Sequence, residues 1–205
     1  MDRKYKMVVS VVMVAIGFYG TVVDAEQYPR DAFGEGKKYA AFQVGYGEGF
    51  SFGFMGQGDG RTVEYLATFP SFGFGISDIV ADDSWYRGNV DVVLEGEFVT
   101  GFKPVSGYSA GAALLFRYNF LRGKKFVPYI EGGAGIGYLE FDLFDQADGL
   151  IFYPQIGVGA HYFVTDNVAV NGAWRIHHMS NAGSERPNNS INANLFLIGL
   201  SYFFD

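Results

Sequence analysis

From residue 39 to residue 204 the chain repeats one pattern. Segments of about ten residues alternate apolar with polar side chains, and glycine-rich or polar breaks separate them. Successive side chains on a strand point to opposite faces, so such alternation sorts residues onto two surfaces of a sheet. One segment sets Val90, Val92, Leu94 and Phe98 against Asp91, Glu95 and Glu97. The next sets Tyr108, Ala110, Ala112, Leu114, Phe116 and Tyr118 against Ser109, Arg117 and Asn119. Near the end, Val168, Val170, Trp174 and Ile176 oppose Asn167, Asn171, Arg175 and His177. No apolar run reaches the ~18 residues that a membrane-crossing helix requires. Eight segments can be drawn, at about 39–49, 61–73, 89–101, 107–119, 126–140, 150–163, 167–180 and 192–204. Each is close to the ~9–11 residues of a tilted membrane strand.

A closed sheet in lipid gives both faces a reason. The apolar face meets hydrocarbon, where a charge costs ~2–4 kcal/mol at mid-depth. The polar face fills a narrow lumen, and Gln43, Glu64, Glu95, Glu97, Arg117, Glu131, Arg175 and His177 are suited to a buried ion-pair network there. A soluble β-sandwich offers no reason for a polar face inside a sheet. The 21 Phe and 14 Tyr suit membrane interfaces, and the 29 Gly suit curved strands and turns. The expected fold is all-β: an eight-stranded antiparallel transmembrane β-barrel, with both termini in the periplasm and tight periplasmic turns alternating with longer outer loops. The last strand ends Tyr202-Phe203-Phe204-Asp205, an aromatic finish followed by one acidic residue.

The N-terminus reads as an export signal. Arg3, Lys4 and Lys6 precede an apolar stretch at residues 7–19, too short to span a bilayer as a helix, and Val23-Asp24-Ala25 offers a cleavage site. The mature domain is then 26–205. Of the 15 basic and 22 acidic residues, three and two fall in the leader, so the mature chain keeps 12 and 20 and a net charge near −8. That balance argues against nucleic acid as a partner. With no cysteine, an exported chain relies on its closed sheet or core rather than disulfides.

The candidate chemistry lies in Trp174-Arg175-Ile176-His177-His178-Met179-Ser180-Asn181-Ala182-Gly183. His178 and Ser180 share the lipid-facing row of Val170, Trp174 and Ile176, at the outer end of the seventh strand. An imidazole beside a hydroxyl is the minimum pair for activating a serine. The plainer reading is a strand emerging into the headgroup zone, where polar residues cost little. His177 and His178 face opposite sides and cannot chelate one metal from one surface. The glycine-rich runs at 45–49 and 132–135 precede no helix pattern, so no phosphate-cradling loop is expected. Glu95 and Glu97, on one face, read as interior charges balancing Arg117 and Arg175 rather than a catalytic pair.

The run His178-x-Ser180-Asn181-Ala182-Gly183, followed by Pro187-Asn188 and Asn192 and a terminal aromatic strand, resembles the lipid A 3-O-deacylase family. The resemblance implies an outer-membrane barrel that removes an ester-linked acyl chain from lipid A without a cofactor, among outer-membrane lipids. It implies Ser180 as nucleophile, His178 as general base and an acid on the last strand, a place taken here by Asn192. Asn181, Gly183 and Asn188 are the expected oxyanion and substrate-positioning residues, and Glu185 is a possible substitute acid. The alternative is a non-catalytic structural or adhesive barrel whose site has degenerated at Asn192.

Overall fold

The computed structural model describes residues 32–50, 62–104, 106–123, 125–143 and 145–204; the expected export signal lies outside them. The strands are β1 (Lys38–Gly49), β2 (Glu64–Gly75), β3 (Gly88–Lys103), β4 (Gly107–Phe120), β5 (Phe126–Phe141), β6 (Gly149–Phe152), β7 (Gln155–Phe163), β8 (Val168–Met179) and β9 (Ile191–Phe204). All pair antiparallel with sequence neighbours, and β1–β9 pairing closes the ring. The expected sixth strand is split into β6 and β7 by Tyr153-Pro154, since proline has no N–H for the ladder. The stave stays continuous: Tyr153 exchanges both backbone bonds with Gly135, and the His178 N–H donates to the Pro154 carbonyl. The result is an eight-staved closed antiparallel barrel.

The alternation places the residues as their parity demands. Phe42, Leu66, Leu94, Phe98, Leu114, Phe116, Ile156 and Ile198 are exposed on the outer wall. Inside, Glu95, Glu97, Arg117, Glu131, Arg175 and His177 are buried. Arg175 donates to both Glu95 oxygens (2.6 and 3.0 Å), to Glu131 (2.7 Å) and to Gln155 (3.0 Å). Arg117 donates to the other Glu131 oxygen (2.7 Å) and to the Tyr39 hydroxyl (2.8 Å). His177 meets Tyr65 at 2.8 Å and Glu97 at 3.3 Å, as an interior hydrogen-bonding residue.

Four expectations need correction. The lumen is polar only in its middle layer. Tyr65, Phe69, Leu139, Phe141, Tyr153 and Met179 form an apolar cluster toward the end where β8 finishes, and Phe33, Tyr39, Leu115, Val127, Phe163 and Phe203 form another toward the end where β1 begins and β9 finishes. Both exclude water from the charges between them. Glu64 is not in the lumen; it shares the outer face with Leu66, where the Tyr46 hydroxyl (3.0 Å) and Lys103 bind it at the strand end. The glycines do more than permit curvature, since several make room for interior rings: a Cβ at Gly47 would sit 2.1 Å from the Tyr65 ring, and one at Gly73 would sit 2.0 Å from the Tyr39 ring. Finally, loop lengths do not alternate cleanly. The 76–87 connection, at the end of the barrel where β1 begins and a tight turn is expected, is longer than 104–106 at the other end.

Candidate active site at the outer rim

β8 and β9 place the site. Their register sets His178 directly opposite Asn192, and both are on the outward row. The His178 ring Nδ1 meets Asn192 Oδ1 at 2.7 Å. That is a close cross-strand pair of the kind that antiparallel neighbours make. Ser180 lies just past the end of β8, where its main chain exchanges two hydrogen bonds with Phe152 (2.8 and 3.1 Å). His178 and Ser180 are half-buried, while Asn192 is nearly covered.

The turn after Ser180 follows from its residues. Residues 181–184 form a tight turn, with the Ser184 N–H donating to the Asn181 carbonyl (3.0 Å) and positive φ at Ala182 (54°) and Gly183 (80°). Two central residues with φ > 0 are the type I′ pattern, for which glycine is suited at the second place. The Asn181 side-chain oxygen accepts the Gly183 N–H (2.9 Å), an Asx arrangement that fixes the bend. Ala182 has no such freedom, and holding a non-glycine residue there costs on the order of 1–2 kcal/mol. In this conformation its N–H donates to Ser180 Oγ at 3.2 Å.

The Asn188 amide completes the surroundings of the hydroxyl. Its Oδ1 and Nδ2 both lie 3.3 Å from Ser180 Oγ, and its Oδ1 also accepts the Asn181 N–H. Among the described residues no hydrogen bond joins Ser180 to the His178 ring. Of the three expected positioning residues, then, Asn188 lies against the hydroxyl. Asn181 and Gly183 do not: the Gly183 N–H donates to Asn181 Oδ1 (2.9 Å), the Asn181 N–H to Asn188 Oδ1 (3.3 Å) and the Asn181 amide to the Glu185 carbonyl (3.0 Å). The donor that sequence reasoning missed is the Ala182 N–H. Only its sequence place before glycine, after an Asx residue, signalled an unusual backbone. Glu185 is exposed, and no hydrogen bond joins its carboxylate to His178 among the described residues.

A second loop holds this one in place. The Gln146 carbonyl-amide side chain, 2 % exposed, accepts the Ser190 N–H (3.0 Å) through Oε1. Ala147 N–H donates to the Pro187 carbonyl (2.7 Å), and Asn189 N–H donates to the Asp145 carbonyl (3.0 Å). The 142–148 connection therefore braces the 186–190 segment on both sides of Asn188. No short motif links residues so far apart in sequence, so this support was invisible before the fold. Among the described residues no three His, Asp or Glu side chains are grouped to hold a metal ion.

Comparison with known proteins places the barrel. Neisserial surface protein A aligns at TM-score 0.58 with 13 % identity, covering 82 % of this chain and 97 % of that one. The outer membrane enzyme PagL aligns at TM-score 0.55 with 21 % identity, covering 78 % and 97 %. The N-terminal β-barrel domain of Pseudomonas aeruginosa OprF aligns at 0.51 with 16 % identity, covering 83 % and 99 %. At these identities the likeness shows the fold, and one fold hosts many functions. No curated protein matches the sequence. The family model for lipid A 3-O-deacylase (PagL) matches residues 61–201, more than half of the chain, including every residue of the site described above. The chain thus belongs to the lipid A 3-O-deacylase (PagL) family, as an eight-staved barrel of the outer membrane.

Proposed function

We propose that this barrel hydrolyses an ester-linked acyl chain of lipid A in the outer leaflet, with Ser180 as nucleophile, His178 as general base and Asn192 orienting the imidazole. The observation that supports the reading is that the His178–Asn192 pair (2.7 Å) stands on the same outward row as Ser180, two positions along, whose hydroxyl has two donors beside it. Asn192 Oδ1 accepts a hydrogen bond from Nδ1–H, which leaves the Nε2 lone pair for the serine.

The resting bonds suggest how substrate starts the reaction. A bound ester carbonyl takes the Ala182 N–H and the Asn188 Nδ2–H as its own donors, and the freed hydroxyl turns about χ1 toward Nε2. Such catalytic bonds often tighten only in the substrate complex. His178 then takes the Ser180 proton as Oγ attacks the carbonyl carbon, and the two donors hold the oxyanion. The ester C–O bond breaks, and His178 passes the proton to the departing sugar oxygen, which leaves as a hydroxyl. Water activated by His178 next cleaves the acyl-serine, releasing the fatty acid and restoring the serine. Residues 1–25 serve as the cleaved export signal that delivers the chain, which N-terminal sequencing of the mature protein checks.

Asn192 distinguishes an active site from a lapsed one. An amide fixes the tautomer but does not offset the charge forming on His178. In a serine protease an acid-to-amide change cost ~10⁴ in turnover through the wrong imidazole tautomer, a loss that Asn192 avoids with its Oδ1 facing Nδ1, so that the missing countercharge is the cost that remains here. Asn192→Glu is therefore expected to raise kcat for fatty-acid release from purified lipopolysaccharide by about tenfold or more, and Asn192→Leu to lower it. A silent parent that gains activity with glutamate indicates a retired enzyme, the second reading, favoured by the committed Ser180 hydroxyl. Equal rates in all three proteins remove Asn192 from the mechanism.

Gln146→Ala tests the brace. Small displacements of a positioning group can cost about 10²-fold. The expected result is a kcat lower by about 10–100-fold with little change in KM and an intact barrel. An unchanged kcat shows that the brace does not set the position of Asn188.

A further inference from the structure

The connection between β2 and β3, residues 76–87, stands at the end of the barrel opposite the candidate site and is built as an ordered platform. Val80 and Gly88 exchange backbone bonds (2.8 and 3.2 Å) and Ile76 N–H donates to the Val90 carbonyl (2.9 Å). The Ser84 N–H donates to the Ala81 carbonyl (2.9 Å) and Arg87 N–H to the Ser84 carbonyl (3.1 Å). The Arg87 guanidinium ties the loop to the Leu121 carbonyl (2.7 Å) and to Asp82 (3.2 Å). A turn needed only to join two strands does not require this many internal bonds.

The platform is apolar on one side. Trp85 is 70 % exposed, the most exposed large apolar side chain among the described residues, and Ile76, Val80 and Tyr86 are exposed with it. Their direction follows from the ladder. Ile76 continues the outward row of Phe72 and Phe74, and Val80 bridges Gly88, which precedes the outward Val90 and Val92. Tyr118, on the outer wall of β4, donates its hydroxyl to the Tyr86 carbonyl, and Trp85 packs edge-on against Tyr86 (5.6 Å between ring centroids). The exposed aromatic surface is thus continuous with the lipid-facing wall. Asp82, in the same loop, is exposed and paired with Arg87.

We propose that residues 76–87 form an interfacial foot, which seats Trp85 and Tyr86 among the headgroups and first acyl carbons of the periplasmic leaflet. An indole has an apolar body and one N–H donor, so it suits the boundary between hydrocarbon and headgroups. An aromatic girdle made of strand residues alone stops where the strands stop. Here a bonded loop extends it below one side of the barrel, while the 121–125 and 164–167 turns are short. This inference is independent of the catalytic reading.

The chain has two tryptophans, Trp85 and Trp174, so Trp174→Phe leaves Trp85 as sole reporter. The full-length variant is reconstituted in phosphatidylcholine vesicles carrying nitroxide-labelled lipid at the headgroup, carbon 5 or carbon 12. The expected result is strong quenching by the headgroup and carbon-5 labels, weaker quenching by carbon 12, and several-fold less quenching by aqueous iodide than for free N-acetyltryptophanamide. Iodide quenching equal to that of the free amide, without nitroxide quenching, overturns the proposal and leaves the surface open to water or a soluble partner. Strongest quenching by carbon 12 also overturns it, by placing the indole in the hydrocarbon. If Trp174→Phe fails to fold, the unaltered protein labelled with 5-fluorotryptophan gives the same answer. Its Trp85 fluorine resonance should broaden with headgroup nitroxide and not with an aqueous gadolinium chelate, and the reverse pattern refutes the foot.

Discussion

Replacing Arg175 with methionine is expected to destabilise the barrel by about 3–5 kcal/mol, the usual cost of removing one partner from a buried ion pair. Arg175 is fully buried and makes four hydrogen bonds to Glu95, Glu131 and Gln155. Without it the Glu95 carboxylate has lost both donors from Arg175, and Glu131 depends on Arg117 alone. Neither carboxylate can reach water, because apolar clusters close the lumen above and below. Urea unfolding in lipid vesicles, followed by the gel-mobility shift of folded barrels, gives the difference. Adding Glu95→Gln to the Arg175→Met protein should recover part of the loss, since the orphaned charge is then removed. A single variant as stable as the parent would mean that the interior charges are solvated.

The second large effect is chemical. Ser180→Ala is expected to lower fatty-acid release by about 10⁴-fold or more, the scale seen when a serine nucleophile that acts with its base is deleted. The side chain is half-buried at the rim, and its hydroxyl meets only the Ala182 N–H and the Asn188 amide among the described hydrogen bonds. The alanine protein should therefore keep the folded gel mobility of the parent. His178→Ala should be comparably inactive, and the double variant no worse than either single, because the two groups act as one unit. Residual activity near the parental level in Ser180→Ala would transfer the nucleophile to another residue or to water.

Side-chain parity made most of the fold legible. The alternating faces of Val90 to Phe98 and of Tyr108 to Asn119 are the outer and inner walls observed, because a strand has no other way to divide its side chains. Glu64 was misread through its charge rather than its parity. It lies on the outward row, but at the strand end, where a carboxylate bound by Lys103 and Tyr46 is not in hydrocarbon. Ala32 and Phe33 precede the first alternating segment, yet Phe33 packs against Phe163 and Phe203 in the mouth of the barrel where β1 begins. A two-residue apolar insertion carries no periodicity to reveal it.

The site divides in the same way. The outward row of His178 and Ser180 and the opposing place of Asn192 follow from counting along two adjacent strands. Ala182 does not, because its role is played by a backbone N–H whose aim depends on φ. Gln146 does not either, since it comes to Ser190 from another hairpin. Local pattern therefore located the proposed His178–Ser180 pair, and the long-range packing of two loops supplied its surroundings.

Mass spectrometry of lipid A from outer membranes holding the folded parent, set beside membranes holding equal amounts of Ser180→Ala, tests the central claim most directly. The account predicts that lipid A from the parent membranes lacks one ester-linked acyl chain, which lipid A from the alanine membranes retains. Identical acyl patterns in the two samples would contradict it.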